Sequence, residues 1–310
     1  MPRVRTSREI RTSCLVNPGC SLGEGPTWDP DSQRLYWVDI LENRIYRHDP
    51  ADRGTNSWTT PEHVGFVVVR PDGGLVAGFK SGLHHVALND DATVTASRID
   101  RIDGHRDDVR FNDATAAADG RIWTCTLGGT PEEPLGTYYC YDAELNRRTV
   151  DEGYLVANGP ALSPDRRLLY TVETSGHPGR RQGVYVSRIT PAGALEAQRL
   201  LIGWDAYDSA PDGVVTDSDG NLWLGEFRGN VLRCFSPEGA EIASVPLPAW
   251  NVTKAAFGGK RGDLLYVTSA RVEVDEETLA RYPDTGGVIE VAGTGARGAL
   301  PLHPRKVLAR

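Results

Sequence analysis

One pattern recurs along this chain and constrains what it can fold into more than any other feature. Glu24, Gly65, Asn112, Asn158 and Asp212 are each followed seven positions later by an aspartate at a turn: Asp31, Asp72, Asp119, Asp165 and Asp219. An apolar-aromatic run then follows each time, as Leu35-Tyr36-Trp37, Leu75-Val76-Ala77, Ile122-Trp123-Thr124, Leu169-Tyr170 and Leu222-Trp223-Leu224. A sixth, stretched copy runs from Val252-Thr253 through Asp263 to Leu265-Tyr266-Val267. Repeats of about 40–50 residues with several strands each predict an all-β chain, a six-bladed β-propeller with four-stranded blades around a central channel.

Each copy reads as strand, turn and strand. Gly25-Pro26-Thr27-Trp28-Asp29 enters a turn at Pro30-Asp31-Ser32, and Arg34-Leu35-Tyr36-Trp37-Val38-Asp39 and Asn43-Arg44-Ile45-Tyr46-Arg47 then alternate as half-buried strands do. Gly73-Gly74, Asp119-Gly120 and Asp219-Gly220 supply the positive-φ residues that tight hairpins need. Helical periodicity is confined to Glu276-Glu277-Thr278-Leu279-Ala280-Arg281. Copies that share one core predict a single domain over residues 1–310, and their even spacing argues against a sandwich or several small β domains. Residues 8–15 are expected to pair with residues 287–292 and so remove an open sheet edge. Residues 293–310, rich in Gly and Pro, are expected to pack across the bottom or stay loose.

The formal charge is −8 and the chain has no lysine-arginine block, which argues against nucleic acid or an anionic membrane and leaves small molecules as partners. No run approaches membrane-spanning length, and the opening MPRVRTSREIRTSC lacks the apolar core of a secretory signal, so a cytoplasmic protein is expected. The five cysteines, odd in number and without a C-x-x-C pair, fit structural thiols in a reducing compartment. Oligomeric state is left open.

Equivalent positions of a repeat protein lie on one end of the structure, so Glu24, Asn112, Asn158 and Asp212 should crowd one mouth of the channel. Glu24, Asn158 and Asp212 form an oxygen-only set of two carboxylates and an amide. That set suits a hard divalent cation such as calcium, magnesium or manganese, with carboxylate-bound zinc also compatible. The alternative is that these residues cap strand ends by hydrogen bonding to turn amides.

Several segments, taken jointly, resemble a known family: Leu22-Gly23-Glu24-Gly25-Pro26-Thr27-Trp28-Asp29, Arg110-Phe111-Asn112-Asp113, Asn158-Gly159-Pro160-Ala161-Leu162-Ser163-Pro164-Asp165, Pro211-Asp212-Gly213, and Phe257-Gly258-Gly259 followed by Tyr266-Val267-Thr268-Ser269-Ala270-Arg271. Over roughly residues 15–295 the chain resembles the gluconolactonase and senescence-marker-protein (regucalcin-like) family. The resemblance implies a six-bladed propeller that hydrolyses sugar-acid lactones such as glucono-, arabino- or xylono-lactone. It implies one divalent ion, calcium first, with zinc, manganese, magnesium or iron as alternatives, held by Glu24, Asn158 and Asp212. It also implies that Asp212 orients or deprotonates the attacking water and that Arg110 and Asn112 hold the substrate; an ordinary salt bridge from Arg110 to Asp107 or Asp108 is the competing reading. Three departures stand out. Pro160 replaces a larger apolar residue, Glu173 replaces an aspartate, and Leu127-Gly128-Gly129-Thr130 lacks an acid that Glu132 or Glu133 would have to supply.

Other signals point away from chemistry. Gly19-Cys20-Ser21-Leu22-Gly23 has the form of a nucleophile elbow, but a strand and not a helix follows, so Ser21 is not expected to act as one. Asp217-Ser218-Asp219-Gly220-Asn221 mimics a calcium loop with its glycine too early and Arg228 at the closing position, and reads as a hairpin turn. His84 and His85 point to opposite faces of a strand, while His105 and His177 sit on loops within reach of the mouth. Trp28, Trp37, Trp123 and Trp223 read as packing, and Trp204 and Trp250 as candidate ligand-stacking surfaces. Three rivals to the lactonase remain: an organophosphate or aryl-ester hydrolase, a non-catalytic calcium- or protein-binding propeller, and a metal-free bond-forming propeller enzyme, which the acidic triad disfavours.

Overall fold

The computed structural model describes residues 10–69, 74–102 and 108–298. They form six four-stranded sheets whose paired strands are antiparallel, a six-bladed β-propeller. The innermost strands are Gly23–Asp29, Val64–Val69, Arg110–Ala116, Ala157–Leu162, Ala210–Thr216 and Val252–Gly258. Each neighbours the next, and the sixth returns to the first. The ring closes because Arg11–Val16 pairs with Val288–Ala292, placing Thr12 opposite Val291 and Cys14 opposite Ile289. Residues 8 and 9 of the expected closing strand lie outside the described residues.

The apolar faces meet between blades. Tyr36, Val38 and Ile45 of the first blade pack on Val64, Val67 and Leu75 of the second, and Tyr170, Val172 and Val184 of the fourth on Val214, Leu222 and Leu224 of the fifth. The repeated tryptophans belong to this packing: Trp28 stacks on Tyr266 at 5.4 Å and Trp37 on Tyr46 at 5.0 Å. The repeated turn aspartates hold their own hairpins. Asp119 accepts from the Arg121 N–H and Asp165 from the Arg167 N–H, while Asp72 lies outside the described residues. Asp217 accepts from the N–H groups of Asp219 and Asn221 and from Trp223 Nε1, so the calcium-loop mimic is a turn. The helix Glu276–Arg281 forms where periodicity placed it, with Asp275 Oδ1 accepting from the Thr278 N–H at 2.7 Å. The tail expected to be loose from residue 293 is held as far as Gly298: Ser218 N–H donates to Arg297 O and Gly298 N–H to Gly262 O. The rest of it lies outside the described residues.

One irregularity positions the site. In all six innermost strands the pairing register shifts at or beside the leading repeat position, from Glu24 to Thr27, Val64 to Phe66, Phe111 to Asp113, Asn158 to Ala161, Pro211 to Val214 and Val252 to Ala255. A bulge leaves residues unpaired and re-aims their side chains. Here it turns the leading residues into the mouth of the channel.

Candidate active site

A directed chain of hydrogen bonds crosses three blades. Arg110 Nη1 donates to Asn112 Oδ1 at 2.7 Å and to Phe111 O at 3.0 Å. Asn112 Nδ2 donates to Asn158 Oδ1 at 2.7 Å and to Ala157 O at 2.9 Å. Asn158 Nδ2 donates to Thr174 Oγ1 at 2.9 Å, and that hydroxyl donates to Pro211 O at 2.8 Å, the residue before Asp212. Tyr138 Oη, buried between the third and fourth blades, donates to Asn158 O at 2.5 Å. These bonds leave Asn112 and Asn158 one amide orientation each, with both Oδ1 atoms directed by a donor.

Glu24 and Asp212 face each other's charge from the first and fifth blades, each only 4% exposed. Glu24 Oε2 accepts from the Gly25 N–H at 2.9 Å, whereas Asp212 Oδ1 is buried and accepts no hydrogen bond from the described residues. Burial, and then the negative charge of Asp113, pushes Glu24 up to about 8. Burial, then Glu24, then Asp113 raise Asp212 well above the usual carboxylate range. Arg110 is pulled down to about 10 by burial, against the attraction of the Glu24 and Asp212 carboxylates. Among the described residues no three His, Cys, Asp or Glu side chains are arranged to hold a metal ion. The candidate set is instead two acids and an amide. An orphaned buried carboxylate oxygen beside a second like charge is costly, and a hard cation would relieve both defects, so the donor chemistry fits one.

The sequence reading missed a buried ion pair directly beneath these groups. Lys254 Nζ donates to Asp113 Oδ1 at 2.5 Å and to Ala114 O at 3.0 Å. Beyond it the channel opens into a mainly apolar cavity of about 250 Å³, lined by Val67, Ala114, Ala161, Val214, Phe257 and Lys254 among others. Both partners were visible in the repeat one position past the leading residue. Strict strand alternation sends such neighbours to opposite faces, and only the bulge brings them inward.

Other expected contributors lie elsewhere. Glu132 and Glu133 are exposed on the loop after the third blade's second strand. Glu173 is a structural acid: fully buried, it accepts from the N–H groups of Leu155, Val156, Ser175 and Gly176, a span that suits the longer side chain. Asp39 does the same for Ser21 and Leu22 in the first blade. His177 Nε2 meets Gly153 O at 3.1 Å, and His105 and Asp107 lie outside the described residues. Trp204 is fully buried against Tyr207 and Phe235 and so offers no face to a ligand, while Trp250 packs at a tilt on Tyr282, with ring centroids 5.3 Å apart. Ser21 Oγ donates to Glu42 Oε1 and opens no helix.

Residues 22–271 match the SMP-30/gluconolactonase/LRE-like region. A 6-deoxy-6-sulfogluconolactonase of Pseudomonas putida is 32% identical over 276 residues, covering 89% of this chain and 92% of its own. The pentonolactonase XacC of Haloferax volcanii is 30% identical over 288 residues, covering 91% and 94%. Among solved structures, a luciferin-regenerating enzyme superposes with a TM-score of 0.83 at 26% identity, covering 93% of this chain and 97% of its own.

Proposed function

The chain belongs to the SMP-30/gluconolactonase/LRE-like family, and on that premise we propose that it is a lactonase, a carboxylic ester hydrolase that opens a sugar-acid lactone such as glucono-, arabino- or xylono-lactone. The names of the two bacterial and archaeal relatives support the reaction class. The observation that carries the reading is the buried Asp212 Oδ1, without a donor among the described residues and facing the charge of Glu24, with the Asn158 amide tied through Thr174 to Pro211 O.

Glu24, Asn158 and Asp212 would hold one divalent ion, calcium first on the chemistry of an all-oxygen set. When bound, such an ion polarises an ester carbonyl and stabilises the oxyanion that forms on it. Asp212 would share its carboxylate between the ion and a water, orienting that water and taking its proton; among the described residues nothing donates to its Oδ1. Arg110, half-buried at the rim and already braced through Asn112, keeps further N–H groups of its planar fork for lactone ring and hydroxyl oxygens. Asn112 serves chiefly to fix Arg110 and Asn158. The five cysteines are all free thiols, which supports a reducing compartment, and no helix among the described residues is long and apolar enough to cross a membrane.

The test is a lactone panel run on chelator-stripped protein and again after reloading with calcium, magnesium, manganese or zinc, with paraoxon and an aryl ester as counter-substrates. Turnover of an aldonolactone that vanishes on stripping and returns with one ion supports the proposal. Full lactone turnover in the stripped protein, or turnover of the counter-substrates alone, rejects it.

A further inference from the structure

One residue past the leading position, the six blades contribute Gly25, Phe66, Asp113, Gly159, Gly213 and Lys254. Asp113 belongs to the third blade and Lys254 to the sixth, which stand opposite each other in a six-membered ring. Their side chains nevertheless meet, with Nζ 2.5 Å from Oδ1, so the pair bridges the channel. Small residues in the same tier leave room for it. A Cβ on Gly213 would lie 2.5 Å from both Cβ and Cγ of Lys254, so the lysine stem crosses the backbone immediately beside Asp212.

The bridge is almost wholly buried: Lys254 is 5% and Asp113 1% exposed. On one side it borders the apolar cavity, which Lys254 helps to line. On the other its charges act on the acids above, the ammonium favouring ionised Glu24 and Asp212 and the Asp113 carboxylate opposing them. Asp113 Oδ1 takes both the lysine contact and the Ala114 N–H, while Asp113 Oδ2 is buried and accepts no hydrogen bond from the described residues. With every group ionised, Glu24, Asp113 and Asp212 carry three negative charges against the two positive charges of Lys254 and Arg110. Lys254 alone decides whether a cation entering above meets a net charge of −1 or −2, and Asp113 whether it meets −1 or zero. Fixed charges in an enclosed, weakly screened site act far more strongly than on a surface.

We propose that the Lys254–Asp113 bridge is the charge-setting floor of the cation site: both are positioning residues that tune ion affinity through Glu24 and Asp212 without touching substrate. This inference rests on the reading of Glu24, Asn158 and Asp212 as the ion-binding set.

The experiment is calcium binding by titration calorimetry on the chelator-stripped full chain and on Lys254→Met, Asp113→Asn and the double variant, with melting curves for each. Lys254→Met keeps the stem and removes the charge, so calcium should bind at least about tenfold tighter; Asp113→Asn should bind it at least about tenfold weaker. The double variant should return to within about threefold of the unmodified chain, since the two charges cancel. Should Lys254→Met fail to fold, the same conclusion follows from weaker binding in Asp113→Asn with recovery in the double variant. A purely structural brace predicts another pattern, weaker binding in both single variants, and that result or an unchanged affinity in Asp113→Asn overturns the inference. An unmodified chain that binds no divalent ion overturns the ion-binding reading itself, and this inference with it.

Discussion

Replacing Asp212 by asparagine should damage activity and improve stability at once. The amide keeps the shape of the side chain and one carbonyl oxygen, but removes a charge that burial, Glu24 and Asp113 all oppose. Among the described residues nothing donates to Asp212 Oδ1. The uncharged amide relieves the cost of a buried charge facing two like charges, and a gain of about 1–3 kcal/mol should raise the melting temperature by about 2–8 °C for a chain of this size. The gain should grow as pH rises, because the parent carboxylate takes on the charge that its surroundings oppose while the amide does not. Removal of the group that prepares water should lower kcat by about 10²–10⁴. Calorimetry with and without chelator, paired with a pH-stat assay at saturating lactone, reads both quantities on one preparation. A variant that turns over at the unmodified rate, or whose stripped form melts lower than the parent, would refute the role given to Asp212.

Arg110→Lys keeps the positive charge and loses the two-pronged donor, so KM should rise about tenfold with a smaller change in kcat, measured by initial rates over a lactone series. Stability of the stripped protein should fall as pH rises from about 5 to about 8. Glu24 is pushed up to about 8 in the fold, so the folded chain holds a proton that the unfolded chain has already released, and that contribution is lost as pH passes the folded value. Saturating calcium should flatten this slope, and melting temperatures across a pH series with and without the ion check it. Glu173→Gln retains the length but weakens the four amide contacts at the fourth blade's mouth, so it should cost about 2–3 kcal/mol in unfolding by denaturant, with KM little changed.

The blade count and the convergence of Glu24, Asn112, Asn158 and Asp212 were legible because a repeat places equivalent positions at one end whatever the local detail. Asp113 and Lys254 were not, because their inward orientation depends on the bulges between Phe111 and Asp113 and between Val252 and Ala255. Bulges leave no fixed residue signature. Buried acids posed a second difficulty. Glu173 and Asp212 are both buried acids borne on strands, yet one accepts four backbone N–H bonds and the other leaves an oxygen unpaired. Only the loop geometry separates a structural carboxylate from a candidate reactive one. Trp204 was misleading for a similar reason: its place before a blade suggested a ligand platform, but Phe235 and Tyr207 enclose it.

The central claim is that Glu24, Asn158 and Asp212 hold one ion at the channel mouth. Crystals of the stripped protein soaked in calcium and measured at long wavelength test it most directly. One anomalous peak is expected in the channel, with oxygens of all three side chains about 2.3–2.6 Å away. A peak ligated by other residues, or no peak in the channel at saturating calcium, would contradict it.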